Sequence, residues 1–293
     1  MKTFVIGRTG LISNALYEEE KDNLDYFFTS SSLIPQKERI IPFNLQEIDS
    51  FPYHLIEKND LIILTAAISS PDECHQHYAR SLRINVTGPV SFIEKITKLG
   101  GRVIFFSSDT VYGKAQEDNQ RVFHEDDACV PLGDYAKMKR EVEVAVSQNP
   151  LVKILRLSLV IHHSDKSTRY LESCLKKNLV AEIFHPYYRN AIILSDILSL
   201  LKVLSQPWTK SIPSIINVGG DDLLSRVDLA KSFQKKNSSF RFSIVRPPES
   251  FYFNRPEIIS ISNLRMKKLL QRDPAAVTAN RKIDNIFCEG INL

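Results

Sequence analysis

The sequence predicts an α/β protein, a doubly wound parallel sheet with a smaller C-terminal α/β substrate-binding lobe. Through the first half, short and continuously apolar runs alternate with amphipathic stretches of helical period. The first of these runs breaks directly into a glycine turn and a helix. Beyond about His162 the alternation loosens into aromatic and basic segments.

In chain order, the runs Thr3–Ile6, Tyr26–Thr29, Leu61–Ala66, Val103–Ser107 and Val152–Leu157 are expected strands. Helices are expected near Leu11–Glu20, Tyr78–Lys98 and Asp134–Ser147. Strands this short and this apolar suit burial on both faces, and right-handed crossovers then give a Rossmann-type domain over residues 1–161. Ile192–Leu204 reads as a core helix and Ile215–Val218 as a strand, so residues 192–235 are expected to return to that domain. Residues 162–293 otherwise form the lobe, in which Ser164–Arg189 and Phe240–Leu270 read as irregular and laid over the carboxyl edge of the sheet.

The 293 residues are 43% hydrophobic and 25% charged, a globular balance that argues against disorder. The net charge of +4 comes from scattered lysines and arginines, so no nucleic-acid or membrane partner is expected. Cys74, Cys129, Cys174 and Cys288 fit no zinc spacing and suit a reducing compartment. No metal is expected, since adjacent residues of the Cys74-His75-Gln76-His77 run fan out over different helix faces. With no signal-peptide pattern and no apolar run of spanning length, the expected location is the cytoplasm.

After the first strand, Gly7-Arg8-Thr9-Gly10-Leu11-Ile12-Ser13 turns tightly into a helix whose N-terminal amides and dipole can hold a pyrophosphate. The second strand ends without the acid that binds a ribose 2′-hydroxyl. It offers Thr29-Ser30-Ser31-Ser32, with Arg8, Lys37 and Arg39 nearby, which favours a 2′-phosphate and hence NADPH, with NADH as the other option. Further on, Phe105-Phe106-Ser107-Ser108-Asp109-Thr110-Val111-Tyr112-Gly113 follows a strand, and Tyr135 and Lys139 lie four apart on one helix face. At that spacing an ammonium can draw a tyrosine from its usual ~10 toward neutrality, making it a proton donor and acceptor.

Taken in series, these motifs resemble the extended short-chain dehydrogenase/reductases. The glycine turn is similar to that family's G-x-x-G-x-x-G, with Ser13 in place of the third glycine. Ser108 with Tyr135-x-x-x-Lys139 and Glu143 resembles its S/T and Y-x-x-x-K-x-x-x-E motifs, and Arg83-Ile84-Asn85-Val86-Thr87-Gly88 its buried-asparagine helix. Asn44-Leu45 stands where the family has Asp-Leu against adenine, and Thr65-Ala66-Ala67 resembles the small-residue strand end under the cofactor. The resemblance implies Tyr135 as acid, Ser108 on the substrate oxygen, Lys139 on the nicotinamide ribose and Asp109 as a further proton-relay group. The cofactor residues it implies are Gly7, Arg8, Thr9, Gly10, Leu11, Ile12, Ser30, Ser31, Asn44, Leu45, Thr65, Ala66, Ala67 and Asn85.

Within the family the chain looks most like the dTDP-4-dehydrorhamnose reductase branch. Ser108-Asp109 resembles the branch's Thr-Asp pair, Leu159 stands where epimerases carry asparagine, and Asn217-Val218-Gly219-Gly220, Leu224-Ser225-Arg226 and Arg255-Pro256 follow in its order. The resemblance implies NADPH-dependent reduction of a nucleotide-diphospho-4-keto-6-deoxy sugar in deoxysugar and surface-polysaccharide biosynthesis, by a protein that can be a homodimer. Arg189, Arg241, Arg246 and Arg255 are candidate diphosphate ligands, since guanidinium forks suit phosphate. Two alternatives remain open at this stage, an epimerase or dehydratase retaining NAD and a non-catalytic NADPH-binding regulator.

Overall fold

The computed structural model describes residues 1–31, 39–114 and 121–271. Lys37, Cys288 and the rest of Ser32 to Glu38 lie outside these residues, as does the chain beyond Gln271. In order, β1 (Thr3–Ile6) leads into α1 (Leu11–Glu20), β2 (Tyr26–Ser30), β3 (Ile40–Pro42) and β4 (Leu61–Leu64). Then come α2 (Pro71–Gln76), α3 (Tyr78–Leu82), α4 (Gly88–Lys98), β5 (Arg102–Ser108), β6 (Val122–Phe123), α5 (Gly133–Val146) and β7 (Val152–Leu157).

These strands except β6, joined by one from the second half, make a seven-stranded sheet in which every pairing is parallel. Its order places β1 and β4 side by side with the chain winding outward in both directions, the doubly wound arrangement expected from the sequence. A strand buried on both faces must be apolar at every position, and β1 and β4 are completely buried. Val5 packs on one face with Leu16 of α1, whereas Phe4 and Ile6 pack on the other with Phe92 and Ile96 of α4 and Val142 of α5.

The single helix expected over Tyr78–Lys98 is interrupted by a π-helical turn at Arg83–Thr87. Pro89 has no N–H to give to the carbonyl of residue 85, so the hydrogen-bond register changes there. The widened turn carries Asn85 inward.

The second half comprises β8 (Val160–Ile161), α6 (Lys166–Lys176), β9 (Val180–Phe184), β10 (Tyr188–Asn190), β11 (Ile192–Ile193) and α7 (Leu194–Ser205). It continues with β12 (Ile215–Val218), β13 (Leu223–Ser225), α8 (Arg226–Lys236), β14 (Arg241–Val245), α9 (Glu249–Tyr252), β15 (Ile258–Ile261) and α10 (Leu264–Leu270). β12 extends the large sheet beside β7, and α7 and α10 pack on its face. α8, within the segment 192–235, instead packs with α6, β9 and β14 around Phe233 and Phe240 in the lobe. A four-stranded sheet, β13-β10-β15-β6, links the two parts.

The segments read as irregular are ordered. Asp165 caps α6 by accepting from the amides of Ser167 and Thr168, and β9 alternates buried and exposed residues as a half-buried strand does.

Beneath the sheet's carboxyl end, Arg156 of β7 grips Glu143 of α5 through two bonds of 3.0 and 2.8 Å. Both side chains are at most 1% exposed. Breaking such a pair strands a charge, at a typical cost of roughly 3–5 kcal/mol, while replacing both partners by apolar groups is often neutral. We therefore expect Arg156→Met to lower unfolding free energy by about that amount and Glu143→Leu with Arg156→Met to recover much of it. Urea denaturation of the two variants checks this.

Candidate functional site

Gly7 ends β1 at φ +99°, and a Cβ there would lie 2.8 Å from the Cβ of Ala66, so the strand ends meet only because residue 7 is glycine. The amide of Gly7 donates to Thr29 Oγ1 at 3.0 Å, and that of Arg8 to the Thr29 carbonyl at 2.9 Å, tying the turn to β2. Ser13, in the third glycine position, is wholly buried, and its hydroxyl bonds that of Thr65, which donates to the Ile6 carbonyl at 2.8 Å. Serine thus replaces close glycine packing with a hydroxyl link between α1 and the end of β4.

The resulting cleft, about 320 Å³, lies at the carboxyl ends of β1 and β4. Gly7, Thr9, Gly10, Ser31, Asn44, Leu45, Thr65, Ala66 and Ala67 line it, joined by Ile68 and Arg80, which the sequence did not single out. Ile12 faces the core, so only its backbone is available to a ligand. Asn85 stands behind the wall, its amide bonded to Ile68 through 2.8 and 2.9 Å contacts, and so shapes the cleft without lining it. Arg39 turns away and donates to the carbonyls of Lys21 and Asn23. Arg8 lies 4.1 Å over the Tyr17 ring, and its Nε is buried with no hydrogen-bond partner.

A glycine-floored cleft at a helix N-terminus fits a dinucleotide's pyrophosphate.

Ser108, the last residue of β5, stands beside Tyr135 in the first turn of α5, near enough for its hydroxyl to pull the phenol's pKa downward. Ser108 Oγ also accepts from the Thr110 hydroxyl at 2.9 Å and donates to Asp109 Oδ1 at 3.3 Å. Asp109 is buried and accepts from Ser158 Oγ at 2.7 Å, with Arg189 Nε 3.8 Å away. Burial pushes its carboxyl above the usual carboxylate range, against the pull of Arg189, Ser158 and Ser108.

Lys139 is buried and donates to the Phe106 carbonyl at 2.8 Å, with Nζ 5.9 Å from the centre of the Tyr135 ring. Burial lowers its pKa to about 8. The expectation that the ammonium draws Tyr135 toward neutrality is not met in this arrangement. Burial raises the Tyr135 pKa, Cys74 and Asp109 add to the rise, and the group is a neutral phenol.

On the lobe side, Arg189 lies 4.1 Å and Arg226 4.7 Å over Tyr187, and Arg255 4.8 Å over Phe251. Arg189 is 2% exposed and donates to the carbonyls of Tyr188, Glu257 and Pro256. Its guanidinium therefore braces the lobe backbone and Asp109. Arg255 forms a two-pronged bridge of 2.9 and 2.6 Å with Asp72 of α2, joining lobe to sheet domain. Arg241 donates to Asn178, and Arg246 is exposed.

Arg226, at the start of α8, went unread as a ligand. Its Nε is buried without a partner, and burial together with the charges of Arg189 and Arg255 lowers its pKa. The serine cap directly before it places this cation at a helix N-terminus, where a positive charge is unfavourable and Asp228 of the same turn supplies a negative one. Beside it lies a cavity of about 400 Å³ bounded by Ser167, Tyr170, Leu171 and Phe184. Among the described residues no group of three or more His, Cys, Asp or Glu is placed to hold a metal, and His75 pairs with Asp134 at 2.8 Å. No helix among them is long and apolar enough to cross a membrane.

Known structures share this architecture. MoeE5, solved with UDP-glucuronic acid and NAD, superposes with a TM-score of 0.79 at 18% identity, covering 98% of this chain and 97% of that one. A hypothetical dTDP-4-dehydrorhamnose reductase from Sulfolobus tokodaii gives 0.78 at 21% identity, covering 97% and 98%. The UDP-glucuronic acid 4-epimerase of Bacillus cereus, solved with UDP-glucuronic acid and NAD, gives 0.78 at 18%, covering 99% and 98%. No curated protein matches the chain in sequence. The model of the RmlD substrate binding domain matches residues 1–280, in keeping with the motifs read above, and the chain belongs to that family.

Proposed function

We propose that this protein is an NADPH-dependent reductase of a nucleotide-diphospho-4-keto-6-deoxy sugar, with a dTDP-sugar as the first candidate. The observation that carries the reading is the gathering of Ser108, Tyr135 and buried Lys139, whose Nζ lies 5.9 Å from the Tyr135 ring centre, at the sheet edge shared with the glycine cleft. When bound in the cleft, the nicotinamide cofactor supplies the hydride. Ser108 and Tyr135 hold the substrate oxygen, Tyr135 gives it a proton as charge develops, and the product is the alcohol. Lys139 offsets the phenolate left behind, and Asp109, held protonation-prone by burial, returns the proton through Ser108.

The cations Arg226 and Arg255 suit a diphosphate, and the cavity beside Arg226 suits its base. Remote binding of this kind orients the sugar for the reaction. The nucleotide-sugar ligands of MoeE5 and the B. cereus epimerase support this class of substrate, and the S. tokodaii relative supports reduction. NADPH is favoured by the unpartnered Arg8 Nε and by Ser30 and Ser31 at the end of β2.

Absorbance at 340 nm tests the reading. NADPH should be consumed stoichiometrically with a 4-keto-6-deoxy sugar carried on dTDP, GDP or UDP, and Tyr135→Phe should lose at least ~100-fold in kcat while still binding NADPH. Silence with all three sugars, or purification with NAD retained through turnover, would defeat it.

The preference for NADPH over NADH should shrink about tenfold or more in Arg8→Ala, since a charge-assisted phosphate contact of roughly 1.5–3 kcal/mol is removed. Equal affinities of the parent protein for the two cofactors in a fluorescence titration would refute this.

The pH profile follows from Lys139. Its ammonium is charged below about 8 and is lost as pH rises through that value, so kcat/KM for reduction should fall on the alkaline side with an apparent pKa near 8. In Lys139→Arg the limb should move upward, because guanidinium keeps its charge.

A further inference from the structure

A second cavity, about 540 Å³, opens at the opposite edge of the large sheet, where β5 and β7 begin. Arg102 is the first residue of β5 and Ser108 the last, so the cavity lies roughly 20 Å from the catalytic groups at the usual strand rise. Its walls include Arg102, Lys153, Trp208, Lys210 and Ser214. No part of the proposed reaction uses it.

Arg102 and Lys153 are 4% and 6% exposed and stand 5.1 and 5.3 Å from the centre of the Trp208 ring. They differ in how they are satisfied. Arg102 donates to the carbonyls of Ser205 and Gln206 at 3.1 and 2.7 Å, and so closes the C-terminus of α7, where the helix dipole is negative. Lys153 donates once, to the Ile212 carbonyl at 2.9 Å. Among the described residues no carboxylate forms an ion pair with Arg102, Lys153 or Lys210. Burial alone shifts Lys153, downward, with no neighbouring charge acting on it.

A charge taken out of water without a counterion is unfavourable unless something else neutralises it, and Lys153 has two ammonium protons left to donate. A bare ion would leave most of the cavity empty, and its volume is that of a small-molecule site. We propose that this cavity is a binding site for a small molecule bearing an oxyanion, phosphate or carboxylate, which Lys153 anchors and Lys210 covers from the rim.

Trp208 is the one tryptophan in the chain, so its emission reports on the cavity. Inorganic phosphate and citrate, titrated separately at ionic strength held constant with sodium chloride, should each be tested for a saturable change in that emission. Saturation with phosphate alone marks a phosphorylated ligand, and saturation with citrate alone a carboxylate. Lys153→Met should weaken the effective probe at least tenfold. Because Lys153 is buried, the exposed Lys210→Glu provides a variant that leaves the core untouched, and it too should bind about tenfold more weakly. A response to both probes no different from sodium chloride, or affinity unchanged in Lys210→Glu, would overturn the proposal.

Discussion

The arrangement of the candidate site at the sheet's carboxyl end depends on one buried ion pair, Arg156 with Glu143. The carboxylate takes two bonds from Arg156, a third from Ser107 at 2.6 Å and a fourth from Arg140 at 2.9 Å, so all its strong acceptor directions are satisfied. Ser107 precedes Ser108 on β5, and Glu143 lies one helical turn beyond Lys139 on α5. The same carboxylate therefore fixes the strand that carries Ser108 relative to the helix that carries Tyr135 and Lys139. Arg156 also donates to the Tyr112 hydroxyl at 2.9 Å, which donates to Asn217 at 2.7 Å, while the Asn217 amide meets Glu125. Three strands and a helix are held in register by a network in which each member is paired. Such a network adds less to stability than to the uniqueness of the geometry, which is what a site tolerating errors of about half an ångström needs.

Above this network, burial pushes neighbouring groups in opposite directions. Lys139 is driven toward the neutral amine, while Asp109 and Tyr135 are driven toward their protonated forms. The site thus holds two candidate proton donors and a cation poised to lose its charge, all of them buried. Pairs of titratable groups with displaced pKa values are how acid–base roles are divided at neutral pH. Water entering the site would relax every one of these shifts, and the contact of Arg189 with Asp109 ties the lobe to the buried groups whose shifts depend on that burial.

The sheet was legible because its strands are buried on both faces and their sequences show it. Thr3–Ile6 and Val152–Leu157 lie where the apolar runs placed them, and α1 begins at Leu11, as the glycine turn required. β3 escaped notice, being three residues ending in proline at the sheet edge. The lobe was hard to read for a different reason. Its strands are half-buried or short, and its pairings join residues far apart in sequence, such as Val180–Phe184 with Arg241–Val245. Local periodicity carries no information about such partners. Side-chain direction was likewise hidden. Asn85 and Arg189 sit near the cleft and the lobe cluster, but the backbone carbonyls that occupy them are visible only in three dimensions.

The bridge between Arg255 and Asp72 shows how one member of the cation cluster is held in place. Three arginines gathered around Tyr187 and Phe251 repel one another, and ring faces offset only part of that repulsion. Asp109 faces Arg189 and Asp72 faces Arg255, whereas among the described residues no carboxylate is in ion-pair contact with Arg226, on which Asp165 acts at longer range. Asp72 is more than half exposed, and a contact of that kind is weak in water. It can be exchanged for a phosphate oxygen at little cost, whereas the buried contact of Arg189 cannot. Under the proposed function the lobe would therefore present one fixed cation toward Asp109 and two toward a ligand. Its grip on an anionic substrate would then tighten without disturbing the geometry around Ser108 and Tyr135.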